Sequence, residues 1–567
     1  MFKLFFTLVT LSNVLVWAQT TFDWNSLAPS PTLNWTPCYS GLQCALFQVP
    51  IDYTFRDKRN ISIAVARYRA TVPAKEYRGP IFFNPGGPAN SGVESIVSSG
   101  AAFAEFLGAH FDIVGFDIRG IANSRPSISL FDTPAERASY LPDDLSIRMR
   151  PLDASDDTLT ALWARMQLLG QRAQAYDKPQ DYLKYFTTDY IATDMLRLTD
   201  AFGFPKLKYW GVSYGSILGQ TFATLFPDKV ERLVVDGKFA SWAIWTARRG
   251  LEVCSVFLLL RDPWMTIFCP ANLTGSMTDT DHVLQTFFDD CFKAGPSECA
   301  YYDSSPAKIA ANLKALEERL RRQPISVLTP TSHGVVDYSF LRVLTFANLL
   351  GPSDWPNFAR LLAQISAGNG TEAYTQKQVP TFQCSQKDVY TLFQATIGMA
   401  CSDMRPVHDT IPELDAFRKN EAKLSGYGNV WANWRVWCSG WKIHREGKFT
   451  GPVGAKTSFP LLIIGNTFDP STPHMWSQKV STQFPGSVLL TNDGFGHTSL
   501  IAPSTCTHKA LGAYFQNGTL PAKGTICPVD FELFPGIKSK QRRSEEDARL
   551  LRAISTIRKA VPDHVWW

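Results

Sequence analysis

Short apolar runs separated by helix-compatible segments constrain the fold of this chain more than any other feature. Such runs occur at residues 80–84, 111–116, 207–211, 232–235, 460–465 and 487–490, and residues 61–67 alternate as a half-buried strand does. Between them, residues 189–202 place Ile191, Met195 and Leu198 on one helical face, and Gly203 follows as a stop. Strands that are apolar on both faces are typical of parallel sheets, and intervening helices supply right-handed crossovers. The sequence therefore predicts an α/β fold with a mostly parallel central sheet flanked by helices.

The middle of the chain differs, because residues 240–441 contain few such runs and many amphipathic helical patterns. The clearest pattern begins at Ser305-Pro306 and carries Ile309, Leu313 and Leu316 on one face. Length alone predicts one enlarged domain with an insertion, or two domains, since the chain has 567 residues and one core rarely exceeds about 250–300 residues. We predict a first core segment at 19–239, a helical cap inserted at 240–441, a second core segment at 442–530, and a basic tail with an amphipathic helix at 531–567.

The N-terminus predicts secretion. Lys3 precedes an apolar run at residues 4–17, and Ala18 ends a small-residue cleavage pattern. The run is shorter than the ~20 residues that span a bilayer, which favours a signal peptide at residues 1–18 over a membrane anchor. Sequons for N-glycosylation follow at Asn34, Asn60, Asn272, Asn369 and Asn517. We therefore expect a secreted, glycosylated protein without stable membrane association.

Cysteine content agrees with an oxidising compartment, because the chain has 11 cysteines. Three pairs lie close in sequence, namely Cys38 with Cys44, Cys291 with Cys299, and Cys506 with Cys527. Spacing alone leaves the full connectivity open, and an odd count leaves at least one thiol free or bonded to another chain. No CxxC pair or histidine-rich cluster indicates a metal site, so we expect no metal and no cofactor. A net charge of +5 is too small over this length to indicate a nucleic-acid partner, and the oligomeric state stays open.

A G-x-S-x-G motif at residues 211–215 carries the clearest chemical signal. The motif alone is weak, since a chain with 37 glycines can match it by chance. Here a predicted strand at 207–211 enters it and a helix-compatible stretch at 216–226 leaves it. That context predicts a nucleophile elbow, a strained turn that exposes the Ser213 hydroxyl at the edge of a sheet.

A serine hydroxyl needs a base, and in this fold the acid and the histidine follow the serine in that order. Asp469 follows the strand predicted at 460–465, and His497 follows the strand predicted at 487–490. We predict that His497 takes the Ser213 proton and that Asp469 orients the imidazole. Asp493 is an alternative acid that lies close to His497 in sequence, but we place it on the turn that leads to His497.

An oxyanion needs two backbone N–H donors. One is expected from Tyr214, the residue after the nucleophile, and the other from an early glycine-rich loop. Residues 84–88, with the sequence NPGGP, follow a predicted strand at the right point in the chain. Either Gly86 or Gly87 can supply this donor, and we favour Gly87.

Taken together, these motifs resemble those of the secreted tripeptidyl-aminopeptidase-like α/β-hydrolases, which are relatives of the proline iminopeptidases. The matching segments are residues 84–88 (NPGGP), 115–120 (GFDIRG), 187–194 (TTDYIATD), 209–215 (YWGVSYG), 235–237 (VDG), 469–473 (DPSTP), 496–497 (GH), 505–506 (TC) and 518–527 (GTLPAKGTIC). The resemblance spans residues 35–530 and is weakest in the insertion. It implies an α/β-hydrolase fold with a cap inserted before Asp469 and a TAP-like C-terminal module. It also implies the Ser213/Asp469/His497 triad and disulfides Cys506–Cys527 and Cys401–Cys438.

The same resemblance implies a serine hydrolase that works through an acyl-enzyme on a small peptide or ester. We expect an aminopeptidase that releases short peptides or single residues from peptide N-termini. An esterase or amidase acting on a small acylated metabolite is the alternative, because acyl transfer uses the same groups in both cases. A non-catalytic binding protein on a hydrolase scaffold is a more remote alternative.

Overall fold

The computed structural model describes residues 22–140, 148–237, 275–330, 332–376, 392–534 and 543–560. The predicted signal peptide, the sequon at Asn272 and the predicted start of the cap at residue 240 lie outside the described residues. Strands and helices alternate in the described residues before 237 and again after 462, and helices dominate between these two regions.

Strands of the described residues are numbered in chain order. They are β1 (Thr36–Cys38), β2 (Leu42–Pro50), β3 (Asn60–Tyr68), β4 (Pro80–Asn84), β5 (Asp112–Phe116), β6 (Leu207–Val212), β7 (Val230–Asp236), β8 (Ile325–Leu328), β9 (His333–Val336), β10 (Leu462–Phe468), β11 (Val488–Phe495) and β12 (Ile526–Pro528). Ten of them form one sheet in the order β1-β2-β3-β5-β4-β6-β7-β10-β11-β12, and β8 pairs with β9 in a separate hairpin.

Most of the central sheet is parallel, which confirms the predicted fold class. From β5 to β12 the neighbouring strands pair in parallel, whereas β1, β2 and β3 add an antiparallel edge that joins β5. Parallel strands end at the same edge of a sheet. The residues that follow β4, β6, β10 and β11 therefore meet at one edge, although they are far apart in sequence.

Helices cover both faces of the sheet and fill the insertion. They are α1 (Gly92–Leu107), α2 (Pro134–Tyr140), α3 (Thr158–Asp177), α4 (Thr188–Ala201), α5 (Tyr214–Leu225), α6 (Thr280–Ala294), α7 (Pro306–Arg322), α8 (Tyr338–Leu350), α9 (Trp355–Ser366), α10 (Thr371–Gln376), α11 (Leu392–Asp403), α12 (Ile411–Leu424), α13 (Gly428–Trp431), α14 (Asn433–Ser439), α15 (His474–Gln483), α16 (Thr505–Asn517) and α17 (Glu545–Ala560).

Alternate residues of the central strands point into two different apolar clusters. Phe82 and Tyr209 belong to the cluster that includes the buried faces of α4 and α5. Phe83 and Trp210, their neighbours in sequence, belong to the cluster that includes α1, α16 and α17. Because both faces are buried, the strand sequences are apolar throughout, and this is why they could be recognised as continuous runs.

Between β7 and β10 the described residues form α6 to α14 and the hairpin of β8 and β9. Helix α7 buries the stripe that its sequence predicts, with Ile309, Leu313 and Leu316 all buried. The hairpin was not predicted. Each of its strands buries a single residue, Val327 or Val336, so neither strand carries an apolar alternation long enough to recognise.

Four disulfides join described residues. Cys38 bonds to Cys44 and Cys291 bonds to Cys299, as their spacing suggested. The two pairs that the family resemblance implied are also bonded, Cys401 to Cys438 and Cys506 to Cys527. The last bond ties α16 to β12, with 5.4 Å between the two Cα atoms. Among the described residues, no helix combines the length and apolar character needed to cross a membrane.

Candidate active site

Ser213 lies on the turn between β6 and α5. Its backbone adopts φ 55° and ψ −123°, an unfavourable region for a residue with a Cβ. The turn is held by main-chain bonds, because the Ser213 N–H donates to the Asp236 carbonyl at 2.9 Å and its own carbonyl accepts the Ser216 N–H at 2.8 Å. Gly211 permits the turn, since a Cβ there would lie 2.1 Å from the Gly215 carbonyl oxygen. The geometry is that of a nucleophile elbow.

Asp469 and His497 contact one another at the same edge of the sheet. Asp469 follows the end of β10, and His497 follows β11 after one glycine. Nδ1 of His497 lies 2.9 Å from Oδ2 and 3.1 Å from Oδ1 of Asp469. Both side chains are buried. A buried carboxylate on Nδ1 fixes the ring so that Nε2 is the nitrogen available for proton transfer.

The alternative acid, Asp493, lies elsewhere. Strand β11 continues to Phe495, so Asp493 is on the strand and not on the turn that we predicted. Its carboxylate is exposed and accepts a hydrogen bond from the Thr467 hydroxyl at 2.9 Å. The contact with Nδ1 of His497 therefore comes from Asp469, which is farther away in sequence.

Two hydroxyl residues that the sequence analysis missed complete the surroundings of Asp469. The backbone N–H groups of Ser471 and Thr472 donate to Oδ1 at 3.0 and 2.9 Å, and the Thr472 hydroxyl donates to Oδ2. Burial raises the pKa of Asp469, but the adjacent His497 ring and these hydrogen bonds outweigh burial, and the net pKa lies below its usual value. The carboxylate therefore stays ionised. The sequence signal was the D-x-S-T pattern, in which an aspartate accepts from backbone N–H groups two and three residues later.

Hydrogen bonds to three other residues hold the loop that carries His497. The Asn466 side-chain amide donates to the carbonyls of Gly496 and Thr498, each at 2.7 Å, so it clamps both neighbours of His497. Both neighbours have positive φ, 105° for Gly496 and 72° for Thr498. The other supports are the Leu350 carbonyl, which accepts the His497 N–H, and the Asp236 carboxylate, which accepts the N–H and hydroxyl of Ser499.

A chain of buried amides extends from Asn466 away from the site. Asn492 donates to the Asn466 side-chain oxygen at 2.8 Å, and the Thr507 hydroxyl donates to the Asn492 side-chain oxygen at 2.7 Å. All three side chains are buried. Thr507 follows Cys506, so this chain connects the Cys506–Cys527 disulfide to the His497 loop.

The oxyanion candidates lie beside Ser213. A Cβ on Gly86 would lie 2.8 Å from Cβ of Ser213, so this loop packs directly on the elbow. The Gly86 N–H donates to the Asn84 side-chain oxygen at 3.0 Å, whereas the Gly87 N–H makes no hydrogen bond within the described part of the chain. The Tyr214 N–H is the first amide of α5, one of the donors that a helix leaves without an internal partner. The arrangement favours Gly87 and Tyr214 as the two donors.

The Ser213 hydroxyl oxygen is buried and has no hydrogen-bond partner among the described residues. The Ser213 hydroxyl therefore makes no hydrogen bond to His497 in this structure. Hydrogen bonds of catalytic groups are often long without substrate and shorten in the complex.

Comparison with known proteins agrees with the fold. Residues 79–253 match the family model described as alpha/beta hydrolase fold, and residues 422–527 match the model described as TAP-like protein. The chain therefore has the α/β-hydrolase fold, and its C-terminal region is similar to the TAP-like proteins.

Curated relatives match over most of the chain. Serine protease Hip1 of Mycobacterium tuberculosis is 26% identical over 87% of this chain and 91% of that protein. Tripeptidyl aminopeptidase of Streptomyces coelicolor is 26% identical over 90% of this chain and 85% of that protein. Carboxylesterase B of Mycobacterium tuberculosis is 24% identical over 88% of this chain and 90% of that protein. These relatives include two named for peptide hydrolysis and one named for ester hydrolysis. Together with the fold, they define this protein as a serine hydrolase.

Proposed function

We propose that Ser213, His497 and Asp469 form a catalytic triad that works through an acyl-enzyme. His497 Nε2 accepts the Ser213 proton while the serine oxygen attacks the substrate carbonyl, and the Gly87 and Tyr214 N–H groups stabilise the oxyanion. The protonated ring then gives its proton to the leaving amine, and water repeats the sequence on the acyl-enzyme. The observation that carries this proposal is the buried Asp469–His497 pair, 2.9 Å apart, at the sheet edge where Ser213 occupies a strained turn.

The preferred substrate class is the N-terminus of short peptides. Support comes from the curated relatives named serine protease and tripeptidyl aminopeptidase. The second candidate is an esterase or amidase of small acylated molecules, which the relative named carboxylesterase B favours. Both activities use the same triad and the same oxyanion donors.

The domain organisation proposed from the sequence fits this function. In it, core segments at 19–239 and 442–530 supply the triad, the insertion at 240–441 forms a cap, and a basic tail at 531–567 carries α17. Contacts from α8 to the His497 loop support a cap that borders the site. A cap of this kind limits the site to small substrates.

Secretion is also part of the proposal. The four sequon asparagines among the described residues, Asn34, Asn60, Asn369 and Asn517, are all exposed. Four disulfides suit an oxidising compartment. A mass spectrum of the secreted protein is expected to find a mature N-terminus near Gln19 and glycans at these asparagines.

The experiment combines labelling with a substrate screen. A fluorophosphonate is expected to label the wild type and not Ser213→Ala, and the wild type is expected to cleave aminoacyl or tripeptidyl chromogenic substrates. Cleavage of acyl esters without cleavage of the peptidyl substrates would replace the aminopeptidase with the esterase. A folded wild type that neither reacts with the fluorophosphonate nor cleaves any substrate would overturn the triad.

A further inference from the structure

Tyr214, the residue after the proposed nucleophile, has a buried side chain whose hydroxyl is held at its far end. The phenolic oxygen lies 2.5 Å from Oγ1 of Thr188, the first residue of α4. Burial raises the pKa of Tyr214 well above its ordinary value, so the phenol keeps its proton. In the same turn, the Tyr209 hydroxyl donates to the Gly215 carbonyl at 2.7 Å. The first residues of α5 are therefore anchored by two tyrosines.

Thr188 is held in turn by a carboxylate from the helical insertion. Asp403, the last residue of α11, accepts the Thr188 N–H at 2.9 Å and also accepts the Thr188 hydroxyl. Both side chains are buried. A continuous hydrogen-bonded chain therefore runs from Asp403 through Thr188 to Tyr214, three residues that are distant in sequence.

The direction of this chain depends on the proton of Asp403. The Thr188 hydroxyl has one hydrogen. When Asp403 is ionised, Thr188 donates to Asp403 and Tyr214 donates to Thr188, so each hydroxyl hydrogen has an acceptor. When Asp403 is protonated, its hydroxyl donates to Thr188. Thr188 and Tyr214 can then donate to each other in one direction only, so the hydroxyl hydrogen of one of them has no acceptor in a buried place, which is unfavourable.

Charged groups around Asp403 influence this equilibrium in both directions. Burial raises the pKa of Asp403 to about 7, against the hydrogen bonds from Thr188 and the charge of Lys448, which lower it. Burial lowers the pKa of Lys448 to about 8, and its ammonium donates to the carbonyls of Ser402 and Met404. The other charged groups in this cluster are Asp189, Arg405 and Arg445.

We propose that Asp403 is a positioning residue for the oxyanion site, acting through Thr188 on the side chain of Tyr214. Fixing the Tyr214 ring fixes the start of α5, and with it the direction of the backbone N–H that we assign to the oxyanion. The ionised form of Asp403 is the effective one. This inference rests on the proposed function, because it assumes that Ser213 is the nucleophile.

The test uses four variants of the full-length secreted protein: Tyr214→Phe, Thr188→Val, Thr188→Ser and Asp403→Asn. Tyr214→Phe and Thr188→Val are expected to lower kcat by about tenfold, less than the loss of an oxyanion donor itself. KM is expected to stay within about twofold, since an oxyanion forms only in the transition state. Inhibition by a peptide aldehyde, which forms a tetrahedral adduct, is expected to weaken by the same factor as kcat. Thr188→Ser keeps the hydroxyl and is expected to keep kcat.

For Asp403→Asn, the pH dependence of kcat is the measurement that distinguishes a positioning role from a loss of stability. Its amide nitrogen donates and does not accept, so this variant imitates protonated Asp403. The ratio of wild-type kcat to Asp403→Asn kcat is expected to be largest above pH 7 and to approach one as the pH falls. All other groups are common to both proteins, so their contributions cancel in the ratio.

Asp177→Asn is the matched control, because Asp177 is another buried aspartate that accepts two backbone N–H groups, those of Tyr182 and Leu183, which belong to none of the triad loops. It is expected to lower stability without changing the kcat ratio or aldehyde inhibition. The inference is overturned if Tyr214→Phe and Thr188→Val keep wild-type kcat and aldehyde inhibition, or if the Asp403→Asn ratio does not vary with pH. Failure of the proposed function is distinct, because then Ser213→Ala itself stays active.

Discussion

The backbone N–H of His497 donates a hydrogen bond to the carbonyl oxygen of Leu350, 2.9 Å away. Leu350 is the last residue of α8, so the helical insertion contacts the proposed base directly. Pro352 packs against the same loop, since a Cβ on Gly496 would lie 2.6 Å from its Cδ atom. The insertion and the core therefore share in holding His497.

Because the insertion borders His497, we predict that the enzyme excludes large folded substrates. Short peptides or small esters are expected to be cleaved, and intact folded proteins are expected to survive. Incubation of a stable folded protein and of its unfolded tryptic peptides with equal amounts of enzyme checks this by mass spectrometry. Efficient internal cleavage of the folded protein would contradict a roofed site.

Substitutions of the two candidate acids, Asp469 and Asp493, are expected to differ strongly in their effect on kcat. Asp469→Asn is expected to lower kcat by ~10⁴-fold, because an amide on Nδ1 favours the wrong tautomer of His497. Asp493→Asn is the control, and as a change of an exposed carboxylate it is expected to alter kcat no more than about twofold. Steady-state kinetics on one chromogenic substrate compares them. If Asp493→Asn were the inactive variant, our assignment of the acid would be wrong.

Asn466 is expected to matter more for catalysis than for folding. Asn466→Asp replaces both donated hydrogens with an oxygen that faces the carbonyls of Gly496 and Thr498, so the His497 loop should shift. A misplacement of about 1 Å at a catalytic group costs ~10²-fold in rate, and we expect a fall in kcat of that order.

Asn433→Asp is the matched control for that variant. Asn433 is also buried, and its amide also donates to two carbonyls, those of Arg150 and Val430, but it lies in the insertion. Thermal melts are expected to fall for both variants, and kcat is expected to fall only for Asn466→Asp. Equal kcat values for the two would assign Asn466 a purely structural role.

The Cys506–Cys527 bond is expected to support both stability and activity. It closes a sequence separation of 21 residues. A loop of that length contributes about 3 kcal/mol in the chain-entropy model. Cys506→Ser should lower Tm and also lower kcat, since Thr507 starts the amide chain that ends at the His497 loop.

Cys38→Ser provides the comparison, because the Cys38–Cys44 bond joins β1 and β2 at the opposite edge of the sheet from β12. Its Tm is expected to fall with kcat unchanged. The idea fails if Cys506→Ser loses stability but keeps full kcat, or if mass spectrometry of the secreted protein finds both thiols reduced.

His508 predicts acid sensitivity of the fold. Its ring is fully buried against Phe106, and burial lowers its pKa from 6.5 to about 4. Between these values the unfolded chain binds a proton that the folded chain does not, so stability falls as the pH drops from about 6.5 to about 4. The full effect is about 3 kcal/mol.

Urea unfolding of the wild type and of His508→Asn at several pH values isolates this contribution. Asp117 and Asp403 act in the opposite direction, since burial raises the pKa of each, to about 6 and about 7. Their contributions are common to both proteins and cancel in the difference. The wild-type advantage is expected to shrink on acidification, and a difference that is independent of pH would refute the prediction.

Local sequence determined the elements and the order of the chemistry. Apolar runs such as 80–84 and 207–211 predicted β4 and β6, because strands buried on both faces keep no polar side. The G-x-S-x-G turn and the chain order pointed to Ser213, Asp469 and His497. This inference was possible because the residues that follow parallel strands meet at one edge of the sheet. Local sequence gave the wrong position for Asp493, which lies on strand β11 and not on the turn before His497.

Only the tertiary structure decided which side chains hold those groups in place. Asn466 clamps a loop 30 residues away in sequence, and Asp403 reaches Thr188 across 215 residues. Leu350 contributes only its backbone carbonyl to His497, so its side chain carries no signal of the contact. Periodicity and turn chemistry are properties of neighbouring residues, whereas these contacts arise from the packing of the insertion against the sheet. The sequence therefore indicated the groups that we propose to react, and long-range packing determined which residues support them.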